Sequence, residues 1–374
     1  LVPFLTAAVF SGLNLFEFFR TMERRTYDTL LHVKPAVGED PSILLLDVDD
    51  TAIANVGVWP WSRDIMAEGL ITMKEFGAEY AVFDIEYTEQ SPRGIDSAYL
   101  EEDIPRSLES RFQGINQNVQ DLFQALRNRQ ITLADAEDYL KELDAMTRES
   151  QDAMLSDIRA IVRDNDEFLG RAAGFFGKAY FTINMLPEGE ENISEALRAH
   201  ATSALPMGGG SVAAPIPYRV SDIRPAIYPI LSRAAGAGFP NVEVDEDGVR
   251  RRLFLVLEYQ GKAYPQLAFS ALYDKIGRPK VTVRSGSILL EGALMPGEAN
   301  RKNVTIPLAQ DGTVLINWPK KSYWDSFRHL SYWYLELHRR QEAALLRGLE
   351  LMEDDQYLSY HEENPRFMDI YRYA

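Results

Sequence analysis

Two short runs of uninterrupted apolar residues, with one amphipathic stretch between them, constrain this chain more than any other feature. Ser42–Val48 reads SILLLDV and Tyr80–Ile85 reads YAVFDI. Runs of that length without polar alternation suit strands covered on both faces of a sheet. Between them, Ile65, Met66, Leu70, Met73 and Phe76 recur at helical spacing over Arg63–Phe76, and Gly77 stands where a helix C-terminus wants a glycine. Strand, helix and strand in that order make a right-handed crossover, which predicts the two strands parallel in one sheet.

The stretch Glu101–Val162 has a different character. It is densely charged, with helical apolar spacing at Ala136, Tyr139, Leu140 and Leu143, and again at Leu155, Ile158, Ile161 and Val162. Thr132 and Asp135 have the spacing of a capping box. The pattern predicts a helical hairpin inserted at about 101–165, a surface for a second copy or a partner rather than a place for chemistry. Ala179–Ile183 then reads as a strand, and Pro187–Arg219 as a connector. Its Gly208-Gly209-Gly210 has neither the Lys-Ser/Thr of a phosphate loop nor a strand leading into it.

Gly238–Tyr259 reads as a hairpin turning at Asp247-Gly248, Tyr264–Ile276 as an amphipathic helix, and Lys280–Arg284, Ser287–Leu290 and Val304–Pro307 as strands. A last hairpin turns at Asp311-Gly312 into Thr313–Trp318. The fold expected is α/β: a mixed, mainly parallel central sheet flanked by helices, with antiparallel edge hairpins and the inserted helical hairpin.

Chemistry concentrates at the end of the first strand. Asp47-Val48-Asp49-Asp50-Thr51 matches the D-x-D-x-T pattern of the haloacid-dehalogenase-like phosphatases. There the first aspartate attacks phosphorus, the second handles the leaving-group proton, and magnesium bridges the site. Asp84 and Glu86, ending the second strand, add carboxylates at the same kind of edge. The rest of such an enzyme is missing: Lys178 precedes a strand, and no late strand ends in paired aspartates. Two non-catalytic readings remain. Asp49 or Asp50 caps a turn and pairs with Arg63, or Asp47, Asp49 and Asp84 hold a divalent cation, Mg or Ca, through oxygen ligands. The same alternatives attend Trp59-Pro60-Trp61: two indoles on a rigid corner plug the end of the sheet or wall a ligand pocket. The five histidines are scattered, and no G-x-S-x-G elbow is present.

Composition narrows the classes. A formal net charge of -17 argues against nucleic acid and against electrostatic adhesion to anionic lipid. The absence of cysteine removes disulfides, thiolate metal sites and a thiol nucleophile. Leu1–Phe19 is nearly all apolar, with Glu17 its only charge, and Arg20, Glu23, Arg24 and Arg25 give it a charged edge. This is read as the trailing half of a transmembrane anchor over 1–19, followed by a juxtamembrane helix over 20–40; a core helix or a signal-peptide remnant are the alternatives. Tyr332–Met352 reads as a long helix, within a helical C-terminal segment 336–374 expected to continue beyond Ala374.

Several of these segments together resemble one family, the type-two CHASE domains, extracytoplasmic sensors of bacterial nucleotide cyclases and sensor kinases. The resemblance begins at Tyr27-Asp28 and continues through Ser42–Ile53. It is most specific at Gly57–Arg63, which is similar to the family's G-x-W-P-W-x-R. Phe76-Gly77-Ala78, Ala81–Glu89, Gly238–Arg252 (GFPNVEVDEDGVRRR), Tyr264–Ala268, Gly312–Asn317 and Leu330-Ser331-Tyr332 follow in order. The insertion is longer than the family's usual connection, and the family's closing strand is absent. The resemblance implies a sensor domain over 41–335, outside the cell membrane, with no catalytic residues and no required cofactor. It also implies an unidentified small-molecule or ion signal, a homodimer, and strain passed through the Phe16–Leu31 helix to a cytoplasmic output, first of all a class III adenylate or guanylate cyclase. In such a sensor Asp47, Asp49, Asp50, Trp59, Trp61, Arg63, Asp84 and Glu86 are candidate ligand-binding or structural residues.

Overall fold

The computed structural model describes residues 2–6, 17–95, 99–100, 104–160, 162–189, 191–213, 216 and 218–354. After a helical turn over 2–6 (α1), the helix α2 (Glu17–Val33) leads through an extended linker to the strand β1 (Leu44–Asp47) and the short helix α3 (Asp50–Val56). Next come α4 (Arg63–Glu75), β2 (Ala81–Val82), β3 (Gly94–Ile95), α5 (Ile104–Arg127), α6 (Leu133–Ala160), β4 (Val162–Arg163), α7 (Asn165–Phe176) and β5 (Ala179–Leu186). The chain continues with α8 (Glu195–Ser203), β6 (Ser211–Val212), β7 (Asp222–Pro225), α9 (Tyr228–Leu231), β8 (Gly236–Gly238), β9 (Arg252–Leu253), β10 (Val256–Tyr259), β11 (Lys262–Pro265) and α10 (Leu267–Lys275). Last are β12 (Lys280–Arg284), β13 (Ser287–Ala293), β14 (Lys302–Pro307), β15 (Val314–Leu315), β16 (Arg328–Ser331) and α11 (Trp333–Asp354).

The mixed α/β expectation holds. β5 is the axis of one sheet: it pairs in parallel with β2 and β8 and antiparallel with β7. Seven of its eight residues are buried, as its apolar run requires. α4 and α7 pack over it, and Leu70, Leu169, Phe176, Phe181 and Ile183 are almost fully buried there. A second sheet runs β14-β13-β12-β6, antiparallel except where β6 joins β12. Its apolar side, through Val281, Val283, Ile288 and Leu290, closes on Phe269 and Tyr273 of α10.

Several expectations are corrected. β1 and β2 do not pair with each other. β1 pairs in parallel with β16, from Leu44↔Arg328 to Asp47↔Ser331, while β2 lies beside β5. The partner of β1 is almost 300 residues downstream, and no local pattern discloses a pairing of that span. Tyr264 and Pro265 belong to β11 rather than to the helix, because Gln260 and Gly261, both at positive φ, turn β10 straight back into β11. The Pro187–Arg219 connector contains α8, which Ser194 caps by accepting from the Leu197 amide. The turn at Asp247-Gly248 forms, but only an isolated bridge, Glu243↔Arg252, closes its hairpin. β15, beyond the turn at Asp311-Gly312, pairs with β9.

The inserted hairpin is present as α5 and α6. Thr132 and Asp135 make the reciprocal capping bonds their spacing predicts: the Thr132 amide and hydroxyl donate to the Asp135 carboxylate, and the Asp135 amide donates to the Thr132 hydroxyl. The insertion is pinched at its base by the β3–β4 pair.

Candidate functional site

Two clusters of charged side chains form on the segments of the sequence motifs. The first lies where β1 and β16 end side by side. Asp47, which leaves β1, has its side chain only 10% exposed. Its Oδ2 lies 2.7 Å from Nδ1 of His329 on β16, and its Oδ1 accepts from the Tyr323 hydroxyl at 2.6 Å. Nε2 of His329 faces two carbonyl oxygens, Tyr323 at 2.9 Å and Ser326 at 2.8 Å. Both ring nitrogens therefore face acceptors, and only the doubly protonated imidazolium can donate to all of them. The Asp47 carboxylate and these carbonyls accordingly raise the His329 pKa above its ordinary value. The rings of Tyr323 and Trp324 close around the imidazole at 4.7 and 5.5 Å between centroids.

Asp49 caps α3 by accepting from the Ala52 amide at 2.8 Å, and it accepts from the Ser331 hydroxyl at 2.6 Å. Those bonds, the Ser331 one first, hold its pKa below the usual carboxylate value. The capping reading of the acidic motif is therefore seen at Asp49. The pairing with Arg63 is not. Arg63 is buried and binds Asp166 at the start of α7 and the Glu89 carbonyl, with its guanidinium 5.3 Å from the Tyr87 ring centroid. Asp166 also accepts from the Ser91 amide, so Arg63 ties the loop after β2 to α7. Asp50, Asp84 and Glu86 are exposed. Among the described residues no three acidic or histidine side chains gather where they could hold a metal ion, so Asp47, Asp49 and Asp84 do not form the ligand set expected for Mg or Ca. The reason is geometric: β1 and β2 belong to different sheets, which separates their strand-end acids.

Trp61 is buried, donates from its indole to the Gly57 carbonyl at 2.6 Å, and packs edge-on against Trp59 and at 5.1 Å from the ring of Tyr332. The Tyr332 hydroxyl reaches into α4 and donates to the Ile65 carbonyl. Gly69 makes room for it, since a Cβ there would lie 1.8 Å from the Tyr332 oxygen. Trp61 thus packs the ends of β1 and β16 onto α4.

The second cluster was not singled out as a site by residue chemistry. Arg251, 4% exposed in its side chain, sits among three aspartates. Nε and Nη2 donate to Asp28 of α2 at 2.8 and 2.7 Å, Nη1 to Asp245 at 2.9 Å, and Nη1 and Nη2 to Asp247 at 2.8 and 2.9 Å. Arg252 beside it reaches Asp311 at 2.6 Å. The contact with α2 extends in both directions. Arg24 pairs with Glu246, the Tyr27 hydroxyl donates to the Ile316 carbonyl, and Lys320 donates to the His32 carbonyl. Residues 24, 27, 28 and 32 share one helical face, so the C-terminal half of α2 is held against the segments 245–252 and 316–320. The opposite face leaves Leu30 and Val33 exposed. The bidentate bond to Arg251 lowers the Asp28 pKa and holds Asp247 at about 2. The signal for this cluster in sequence was present only as the segments Tyr27-Asp28 and GFPNVEVDEDGVRRR, whose separation conceals that they meet.

The CHASE2 domain family model matches residues 4–348. The chain therefore belongs to the CHASE2 family, whose members are non-catalytic, extracytoplasmic sensor domains of membrane receptors. No curated protein and no solved structure matches it. Among the described residues no helix is long and apolar enough to cross a membrane. The run expected to be an anchor, residues 1–19, lies for the most part outside the described residues.

Proposed function

We propose that this chain is the extracytoplasmic sensory part of a transmembrane signalling receptor, and that it passes its state to the membrane through α2. The observation that carries the reading is the Arg251 cluster. A buried guanidinium shared between Asp28 on α2 and Asp245 and Asp247 on the body makes the helix and the body move as one. A signal acts on such a receptor only through unequal affinity for two arrangements, and a rigid tie of this kind carries a rearrangement of the body to α2. The stimulus is a small molecule or an ion, and the cytoplasmic output is a class III adenylate or guanylate cyclase, with a kinase as the runner-up. The phosphatase alternative draws no support from the geometry. Both oxygens of Asp47 are engaged, and Lys178 is held by Glu79 and Tyr80.

The test is made in the full-length receptor. Cyclic AMP and cyclic GMP are measured in membranes carrying the wild type and the Arg251→Met and Asp28→Asn variants. The proposal expects nucleotide synthesis whose basal level or stimulus dependence changes in both variants at equal expression. Autophosphorylation without cyclic nucleotide would replace the cyclase by a kinase. A fully active receptor unaltered by either substitution would overturn the role given to α2.

A further inference from the structure

The inserted hairpin is built as half of a helical bundle. α5 is 24 residues long and strongly amphipathic, yet none of its described residues is buried; on α6, 28 residues long, Ala136 is the buried exception. A helix of that length in a globular protein normally buries an apolar stripe. Here Phe112, Phe123, Leu140, Leu155 and Ile158 are each about half exposed or more. Between the two helices lies a groove of about 370 Å³ lined by Leu122, Ala125, Tyr139, Leu143 and Met146. Two helices alone cannot cover both of their apolar faces, and a second pair can.

We infer that the hairpin is a dimerisation element whose occupant is the hairpin of a second copy, the four helices forming a bundle about a twofold axis. Charge selects this partner. α5 is close to neutral, since Arg106 and Arg127 balance Glu109 and Asp121 and Arg111 already binds Asp157 of α6 at 3.0 Å, whereas acids on α6 outnumber its basic residues eight to three. Packing α6 on α6 of the second copy brings acid against acid. Packing the near-neutral α5 on α6 of the second copy avoids that repulsion twice, because a twofold axis repeats the contact. Area agrees. A 24-residue helix is about 36 Å long, and two helices side by side are about 20 Å wide. A face of that size covers on the order of 700 Å² per copy, close to the roughly 800 Å² per partner of a standard stable interface. The base of the hairpin gives the contact a route into the body. At β4, Arg163 binds Asp64 of α4 at 2.6 Å, beside the buried Arg63–Asp166 pair. This inference goes beyond the sensory reading and does not depend on it.

The chain lacks cysteine, so introduced thiols report on the contact cleanly. The experiment uses the full chain in mild detergent, with mass by sedimentation and disulfide formation between separately made single-cysteine variants. Wild type is expected to be a dimer at micromolar concentration. The double variant Phe123→Glu/Leu140→Glu, both on exposed positions, should weaken it roughly a hundredfold while leaving unchanged the thermal unfolding measured at dilutions where both proteins are monomeric. Phe123→Cys should cross-link in the mixed sample with Leu140→Cys, because α5 lies on α6 of the second copy only when the twofold runs along the hairpin. Leu140→Cys alone should cross-link poorly. A monomeric wild type overturns the inference. So does a dimer that survives the double substitution and gives no mixed cross-link, which would move the contact to the exposed face of α2.

Discussion

Arg251→Met should release α2 from the body without unfolding the protein. The substitution keeps the length and most of the apolar stem of the side chain and removes five donors. It leaves Asp28, Asp245 and Asp247 facing one another with their shared cation gone. Breaking a fully buried ion pair costs about 3–5 kcal/mol. The value here is smaller, because Asp28 and Asp247 are 39% and 40% exposed and regain water. Asp245, at 9%, keeps only the 3.4 Å approach of Arg252. The cost is thus about 2–3 kcal/mol, and it falls on the opening of α2, whose other described ties include the contacts of Arg24, Tyr27 and Lys320. Native-state hydrogen exchange reads it directly: amides of residues 24–33 should lose protection by roughly 30- to 150-fold, with β5 and α7 unchanged. The pH dependence supplies a second check with opposite signs in the two proteins. In wild type, Asp28 and Asp247 are depressed, Asp247 to about 2, by Arg251. Their stabilisation is complete above the unfolded aspartate value and is lost as pH falls through the folded one, so α2 protection should fade between about pH 4 and pH 2. In Arg251→Met the carboxylates repel at neutral pH, and acidification through the same window should restore protection. Exchange of α2 within about threefold of wild type would refute the clamp.

Other consequences follow from single contacts. Gly69→Ala would place its Cβ 1.8 Å from the Tyr332 oxygen and displace a fully packed ring; we expect a loss of about 2–4 kcal/mol in urea unfolding. Adding Tyr332→Phe should recover part of it, and strictly additive losses would contradict the contact. His329 should titrate above the ordinary histidine value by NMR. Its stabilising charge is present below that ordinary value and is lost as pH rises through the raised one, and Asp47→Asn should bring the midpoint back down. An unshifted wild-type midpoint would contradict the imidazolium assignment. Arg63→Lys should destabilise by about 1–3 kcal/mol, since an ammonium cannot serve Asp166 and the Glu89 carbonyl in the fork geometry of a guanidinium; wild-type stability would show that the fork is dispensable.

The amino-acid order alone determined those features whose cause is local. The apolar run Ala179–Ile183 could only be a buried strand, and β5 is one. The period of Arg63–Phe76, the Thr132–Asp135 cap and the Asp247-Gly248 turn each depend on neighbours within a few residues, and each formed. The long insertion was visible because its charge and its helical period contrast with the flanking strands, and the family was legible because its motifs keep their order. Tertiary structure decided everything that joins distant segments. Strand period says that Leu44–Asp47 must be paired but not with what; the partner, Arg328–Ser331, is chosen by packing of Trp61 and Tyr332 over α4. His329 passed as one of five scattered histidines until β16 set it against Asp47. Asp28 and Arg251 are 223 positions apart, and either alone is an ordinary surface charge. Folding makes them one cluster because a buried guanidinium needs acceptors for its five donors, here supplied by three converging carboxylates, and convergence is a property of the whole chain's packing.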